Sequence, residues 1–195
     1  DQWGESAALG NLGNIYAVSG KVEQTVKYYQ QAIGIARTLS DRRSESNHLG
    51  NLGNTYRDLG KYSEAMDHYR QALDIARSIG DRRIELVCLG NLGVTYRIIG
   101  QASEAIKYYQ RALEVSRSVG YRQREGANLG DMANAYRDLG EMDKALECYQ
   151  QALEIAQEIN DRRGEHQVLG NLGNTFRIQE QADLALDHLQ RALDI

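Results

Sequence analysis

Two apolar stripes alternate along this chain, and both have helical spacing. Between residues 41 and 80, Leu49, Leu52 and Tyr56 fall at i, i+3 and i+7, one face of a first helix. Ala65, Met66, Tyr69, Ala72, Leu73, Ala76 and Ile79 form a second stripe, the buried side of a second helix starting near Ser63. Asp41 is placed to cap the first helix, and Glu45 sits in its first turn, where a negative charge suits the helix dipole. Gly60 and Gly80 supply the left-handed residue that ends each helix. The pattern predicts two antiparallel helices joined by a short turn. Neither can bury its stripe alone.

The pattern returns every 40 residues. Leu9-Gly10-Asn11-Leu12-Gly13 recurs as Leu49 to Gly53, Leu89 to Gly93 and Leu169 to Gly173, with a degenerate copy at Leu129-Gly130-Asp131-Met132-Ala133. Gly20, Gly100 and Gly140 repeat the first stop signal, and Gly120 and Asn160 the second; Glu180 breaks the series. A fixed period in this range predicts stacked helix pairs, each burying its stripe against the next. One array over 1–195 is expected, with repeats at about 1–40, 41–80, 81–120, 121–160 and a short 161–195.

Composition changes this picture little. Proline is absent, where average usage of about 5% predicts roughly ten, and 19 glycines do the punctuating. A formal charge of −4 argues against bulk nucleic-acid binding. No apolar run reaches the roughly 18 residues of a membrane span. Cys88 and Cys148 occupy different repeat positions and read as reduced thiols of a cytoplasmic protein. Ile195 aligns with the mid-helix positions Ile35, Ile75, Val115 and Ile155, so the chain reads as a piece of a longer protein.

The spacing Leu52-Gly53-x-x-Tyr56, Ala65-x-x-x-Tyr69, Ala72-Leu73 resembles the tetratricopeptide repeat, and copies cover nearly the whole chain. The resemblance implies an all-α, right-handed α-solenoid of antiparallel pairs; HEAT repeats, of comparable period, are the alternative. Small residues stand where paired helices approach, and tyrosines where gaps need filling. Two departures stand out. The period is 40 rather than the family's 34, and its late proline is replaced by Arg37, Arg77, Arg117 and Gln157. The second helix is therefore expected to run on by one or two turns. This long variant is similar to the Leu-Gly-Asn-rich adaptors of cell polarity (Partner of Inscuteable) and to arrays in bacterial signalling ATPases and protease-like proteins. Kinesin light chains share its asparagines.

In that family the first helices line a concave face. Carried onto this chain, the resemblance points to three columns. One is Asn11, Asn51, Asn91, Asp131 and Asn171; another is Asn14, Asn54, Asn134 and Asn174, with Val94 in the third repeat; the last is Arg57, Arg97, Arg137 and Arg177. Asparagine is a mediocre helix former, and its amide can both donate to and accept from an extended peptide backbone. Arginine adds a preference for carboxylates. Gly10, Gly50, Gly90, Gly130 and Gly170 lie beside them, and Gly13, Gly53, Gly93 and Gly173 face the partner helix. Together these nine cost on the order of 7–9 kcal/mol relative to alanine. The competing reading is structural: the asparagines ladder with one another and the glycines tighten the packing.

The connectors carry Arg42-Arg43, Arg82-Arg83, Arg122 with Arg124, and Arg162-Arg163, followed by Glu45, Glu85, Glu125 and Glu165. These predict exposed i,i+3 ion pairs worth a few tenths of a kcal/mol each, or a basic edge for a partner. His48, His68, His166 and His188 have no metal-ligand spacing, and no phosphate loop or catalytic triad is present, so neither metal, cofactor nor enzymatic activity is expected. The sequence thus predicts a scaffold binding an extended, acidic peptide in its groove, without nucleic acid or membrane. End-to-end self-assembly into a homo-oligomer and a sensor array of a larger signalling protein are the alternatives.

Overall fold

Ten α-helices and no strand make up the protein in a computed structural model that describes residues 1–195. They follow one another in antiparallel pairs. The helices are α1 (Gln2–Val18), α2 (Val22–Thr38), α3 (Arg42–Asp58), α4 (Tyr62–Ser78), α5 (Arg82–Ile98), α6 (Ala102–Ser118), α7 (Arg122–Asp138), α8 (Met142–Glu158), α9 (Arg162–Ile178) and α10 (Ala182–Leu193). The chain divides into two compact units, Asp1–Thr95 and Tyr96–Ile195. No helix is long and apolar enough to cross a membrane.

Helices α1 to α9 each stop where the backbone turns left-handed. Gly20, Gly60, Gly80, Gly100, Gly120 and Gly140 take positive φ, and so do Ser40, Asn160 and Glu180 at 55–61°. The last three carry a Cβ in a conformation that favours glycine. At the other end, Asp41 and Asp161 accept the backbone N–H groups of Ser44 and Gly164, as helix caps do.

The core of the first two pairs is a tyrosine wedged against a glycine. Tyr29, Tyr69, Tyr109 and Tyr149 are buried, with Ala32, Ala72, Ala112 and Ala152 beside them. A Cβ placed on Gly13 or Gly53 would lie 2.7 or 2.6 Å from the ring of Tyr29 or Tyr69, and one on Gly173 would lie 2.6 Å from Leu189. These glycines therefore set the distance between the two helices of a pair. The outer aromatics stack instead: Tyr16 on Tyr28, Tyr56 on His68 and Phe176 on His188. One position of the expected stripe differs. Helix α4 ends at Ser78, so Ile79 becomes its C-cap and stays exposed, while Ile75 is buried.

The connector glutamates are not the weak surface pairs that their spacing predicts. Glu45, Glu85 and Glu125 are buried, and two arginines grip each carboxylate. Arg42 supplies the i,i+3 partner of Glu45 at 2.6 Å, and Arg37 reaches its other oxygen from the end of α2 at 2.7 Å. Arg77 and Arg82 hold Glu85 in the same way, and Arg117 and Arg122 hold Glu125. This explains the missing proline: the residue at that position is the far jaw of a clamp joining one repeat to the next. In the last repeat Gln157 makes the reach to Glu165 with a neutral amide at 2.8 Å.

Candidate functional site

The first helices of successive repeats lie side by side within each unit, α1 along α3 and α7 along α9. The face they share carries the expected columns, but the two units use them differently.

In the first unit the asparagines form a ladder with the core tyrosines. Tyr29 donates its hydroxyl to Asn14 Oδ1 at 2.6 Å, and Tyr69 donates to Asn54 Oδ1 at 2.7 Å. Each of these oxygens also accepts from the next repeat: Asn51 Nδ2 donates to Asn14 at 3.4 Å and Asn91 Nδ2 to Asn54 at 3.1 Å. Both lone pairs of each oxygen are thereby used, which fixes the amide orientation. What remains open is complementary. Asn14 and Asn54 can still donate through Nδ2, and Asn51 and Asn91 can still accept through Oδ1. The expectation that each asparagine serves both functions alone thus gives way to a pair that serves them together. The tyrosine hydroxyl was the part missed in the sequence. Its signal was a buried phenol needing an acceptor, with an asparagine 15 residues earlier.

In the second unit Tyr149 donates to Asn134 Oδ1 at 2.6 Å. No ladder bond follows: the Asn171 and Asp131 side chains are partly buried and make no hydrogen bond. Asn11 and Asn174 are exposed and unbonded. The fifth repeat has Leu189 where the others have tyrosine, so Asn174 meets no phenol.

The arginine column is only half free. Arg57 lies against Asp58 at 3.0 Å, and Arg97 bonds to Asp138 at 3.2 Å. Arg137 and Arg177 have no ion-pair partner. Asp131 is the electrostatic exception. Burial raises its carboxyl to about 6, against the pull of Arg97 and Arg124.

The glycines separate into two kinds. Those facing the partner helix are filled by a ring or a leucine, as above. Of the groove set, Gly10 is occupied too, because the His48 imidazole lies where its side chain would go. Gly50, Gly130 and Gly170 have nothing within 4 Å of a built Cβ. Helix packing has no use for these three. Gly50 lines a cleft of about 230 Å³ between α3 and α5, and Gly130 lines one of about 460 Å³ between α7 and α9. The four histidines serve packing or hydrogen bonding; His166, for example, holds the Ala192 carbonyl at 2.8 Å.

Comparison with known proteins gives the same architecture. The family model described as Tetratricopeptide repeat matches residues 4–78, 68–118 and 124–195. No curated protein sequence matches the chain. Among solved structures, BtubC from P. vanneervenii superposes with a TM-score of 0.86 at 21% identity, covering 95% of this chain and 77% of its own. A Rap protein complexed with competence and sporulation factor gives 0.82 at 17% identity, with 97% and 53% covered. A signal transduction ATPase with numerous domains and a tetratricopeptide repeat sensor, from Pyrococcus horikoshii, gives 0.86 at 20% identity, with 99% and 31% covered. This chain thus spans about half of the Rap protein and about a third of the ATPase. At these identities the likeness is one of fold. With the repeat model matching nearly end to end, and ten helices in antiparallel pairs on a 40-residue period, the chain belongs to the tetratricopeptide repeat family.

Proposed function

We propose that the protein is a non-catalytic scaffold that holds an extended segment of a partner protein along the face of its first helices, with a preference for acidic residues. The observation that carries this reading is the set of open glycines. Gly50, Gly130 and Gly170 each forgo about 0.8–1 kcal/mol of helix propensity with no packing return. A face kept free of side chains lets a peptide backbone approach closely. The amides beside them offer donors and acceptors at fixed orientation, which suits backbone recognition. Arg137 and Arg177, without internal partners, favour carboxylates through bidentate pairing. Arg57 and Arg97 contribute less, because Asp58 and Asp138 already neutralise them. The fold is compatible with such a use, since a Rap protein of similar architecture was solved with competence and sporulation factor bound. The kinship to Leu-Gly-Asn-rich adaptors rests on the sequence pattern alone.

Asn171 and Asn174 provide the test, because neither side chain makes a hydrogen bond within the protein and their loss leaves no tyrosine orphaned. Peptides are first selected from a random library on the wild-type chain. Replacing Asn171 and Asn174 by alanine is expected to leave the melting temperature unchanged or slightly higher and to weaken those peptides by about tenfold, two modest hydrogen bonds' worth. Unchanged affinity in the folded variant would reject amide recognition in this stretch.

A further inference from the structure

The cleft between α7 and α9 departs from its counterpart between α3 and α5 at three positions at once. In the first unit, Arg43 reaches Asp81 at 3.1 Å, and both residues line the α3–α5 cleft. The fourth repeat has Gln123 in place of Arg43, so Asp161, which caps the Gly164 N–H as Asp81 caps that of Ile84, lacks the arginine partner. Ser46, whose hydroxyl binds the Ala72 carbonyl across the pair, is replaced by Gly126. The asparagine that continues the ladder is replaced by Asp131. The result is a cleft of twice the volume, about 460 against 230 Å³. Its floor is apolar, made by Ala152, Ile155, Ala156 and Ile159 of α8 and its C-cap.

Asp131 is the group this cleft leaves incomplete. Asn51 and Asn91, at its position in the second and third repeats, donate to the preceding repeat, whereas a carboxylate can only accept. It is partly buried and carries neither a hydrogen bond nor a close ion pair, and the more distant charges of Arg97 and Arg124 offset its lost hydration only in part. A ligand group that completes it must bring N–H donors and positive charge. The same ligand also meets an apolar floor. Lysine and arginine do both, with an aliphatic stem below a cationic head. Arg124 and Arg163 stand exposed in the same lining without ion-pair partners, and they suit acidic residues on either side.

We propose that the α7–α9 cleft seats a lysine or arginine side chain of the docked segment, its stem over Ile155 and Ile159 and its head on Asp131. The seat gives an otherwise backbone-reading groove one position of side-chain specificity. It rests on the peptide-groove reading above, which is separable from it by experiment.

The probe is a set of short extended peptides of glutamate, serine and alanine whose central residue is arginine, lysine, citrulline, norleucine or glutamate. Binding to the whole 195-residue chain is measured by fluorescence anisotropy. Wild type is expected to prefer arginine and lysine over citrulline and norleucine by about tenfold or more, as befits a charge-assisted hydrogen bond. Asp131→Asn, which restores the residue type of the other repeats, is expected to melt no lower and to erase that preference. A second variant, Gly130→Leu, plugs the cleft without touching a charge and is expected to erase it as well. Binding of all five peptides without preference, or a preference that survives Asp131→Asn, overturns the seat and leaves the groove standing. Failure of every peptide to bind overturns both.

Discussion

Replacing Arg77 and Arg82 together by alanine is expected to destabilise the protein by about 2–4 kcal/mol, measured by urea unfolding at neutral pH. Breaking one side of a buried ion pair costs about 3–5 kcal/mol. The value falls toward the low end because the arginines are 36% and 58% exposed, so water reaches the carboxylate once they are gone. Glu85 itself is only 6% exposed. The pH dependence distinguishes this account from simple loss of packing. Burial pushes the Glu85 carboxyl up, but hydrogen bonds from Arg77 and Arg82 outweigh burial and hold it below its ordinary value of 4.5. Glu125 is held low in the same way by Arg117 and Arg122. A carboxyl depressed in the folded state contributes stability that is full above the unfolded value and lost as pH falls through the folded one. The contribution of these glutamates to wild-type stability should therefore fade only below about pH 4.5. In the double variant burial acts alone and the folded value rises above the unfolded one. Its penalty is then present at neutral pH and relieved by acid. The variant should gain stability between about pH 7 and pH 5. If it instead tracked wild type across that range, the clamp would have no electrostatic content.

Gly53→Ala and Gly50→Ala, three residues apart on one helix, are expected to have opposite signs. A methyl on Gly53 would sit 2.6 Å from Tyr69 Cε1 and 2.8 Å from Cδ1. The ring is fully buried and tethered through its hydroxyl to Asn54, so it cannot swing away. Overpacking of this kind costs about 1–3 kcal/mol, more than the helix-propensity gain of about 0.8–1 at most such sites. The substitution should lower stability by about 1–2 kcal/mol. Gly50→Ala meets open space and should raise stability by about 0.4–1 kcal/mol. Urea denaturation of the two single variants measures both. A destabilising Gly50→Ala would mean that the glycine serves the fold after all.

The fold was open to sequence reasoning because its determinants are local and periodic. Leu49, Leu52 and Tyr56 announce one helix, Ala65 to Ala76 the next, and Gly60 and Gly80 their ends, and each signal recurs often enough to survive individual exceptions. Helix boundaries came out within one or two residues; Ile79 was misplaced because a stripe does not say where its helix stops. The site was harder to read, because there the same letter does different work in different surroundings. Gly10 and Gly50 share a repeat position, yet only Gly10 has a histidine from the next repeat, His48, lying over it. Asn54 is saturated on its oxygen by Tyr69 and Asn91, while Asn174 is free because Leu189 has no hydroxyl. Glu45 looked exposed because its second arginine comes from the preceding helix. In each case the deciding partner lies in another helix, beyond the reach of i,i+4 reasoning.

If the first helices keep a face clear for a peptide backbone, side chains added to that face must trade affinity for stability. This trade is tested most directly by placing alanine at Gly50, Gly130 and Gly170 together and comparing stability and peptide binding on the same preparation. The triple variant is expected to unfold at higher urea concentration and to bind library-selected peptides about tenfold or more weakly, because three methyl groups now occupy the backbone's path. A chain that gains the stability and keeps its full affinity would contradict it.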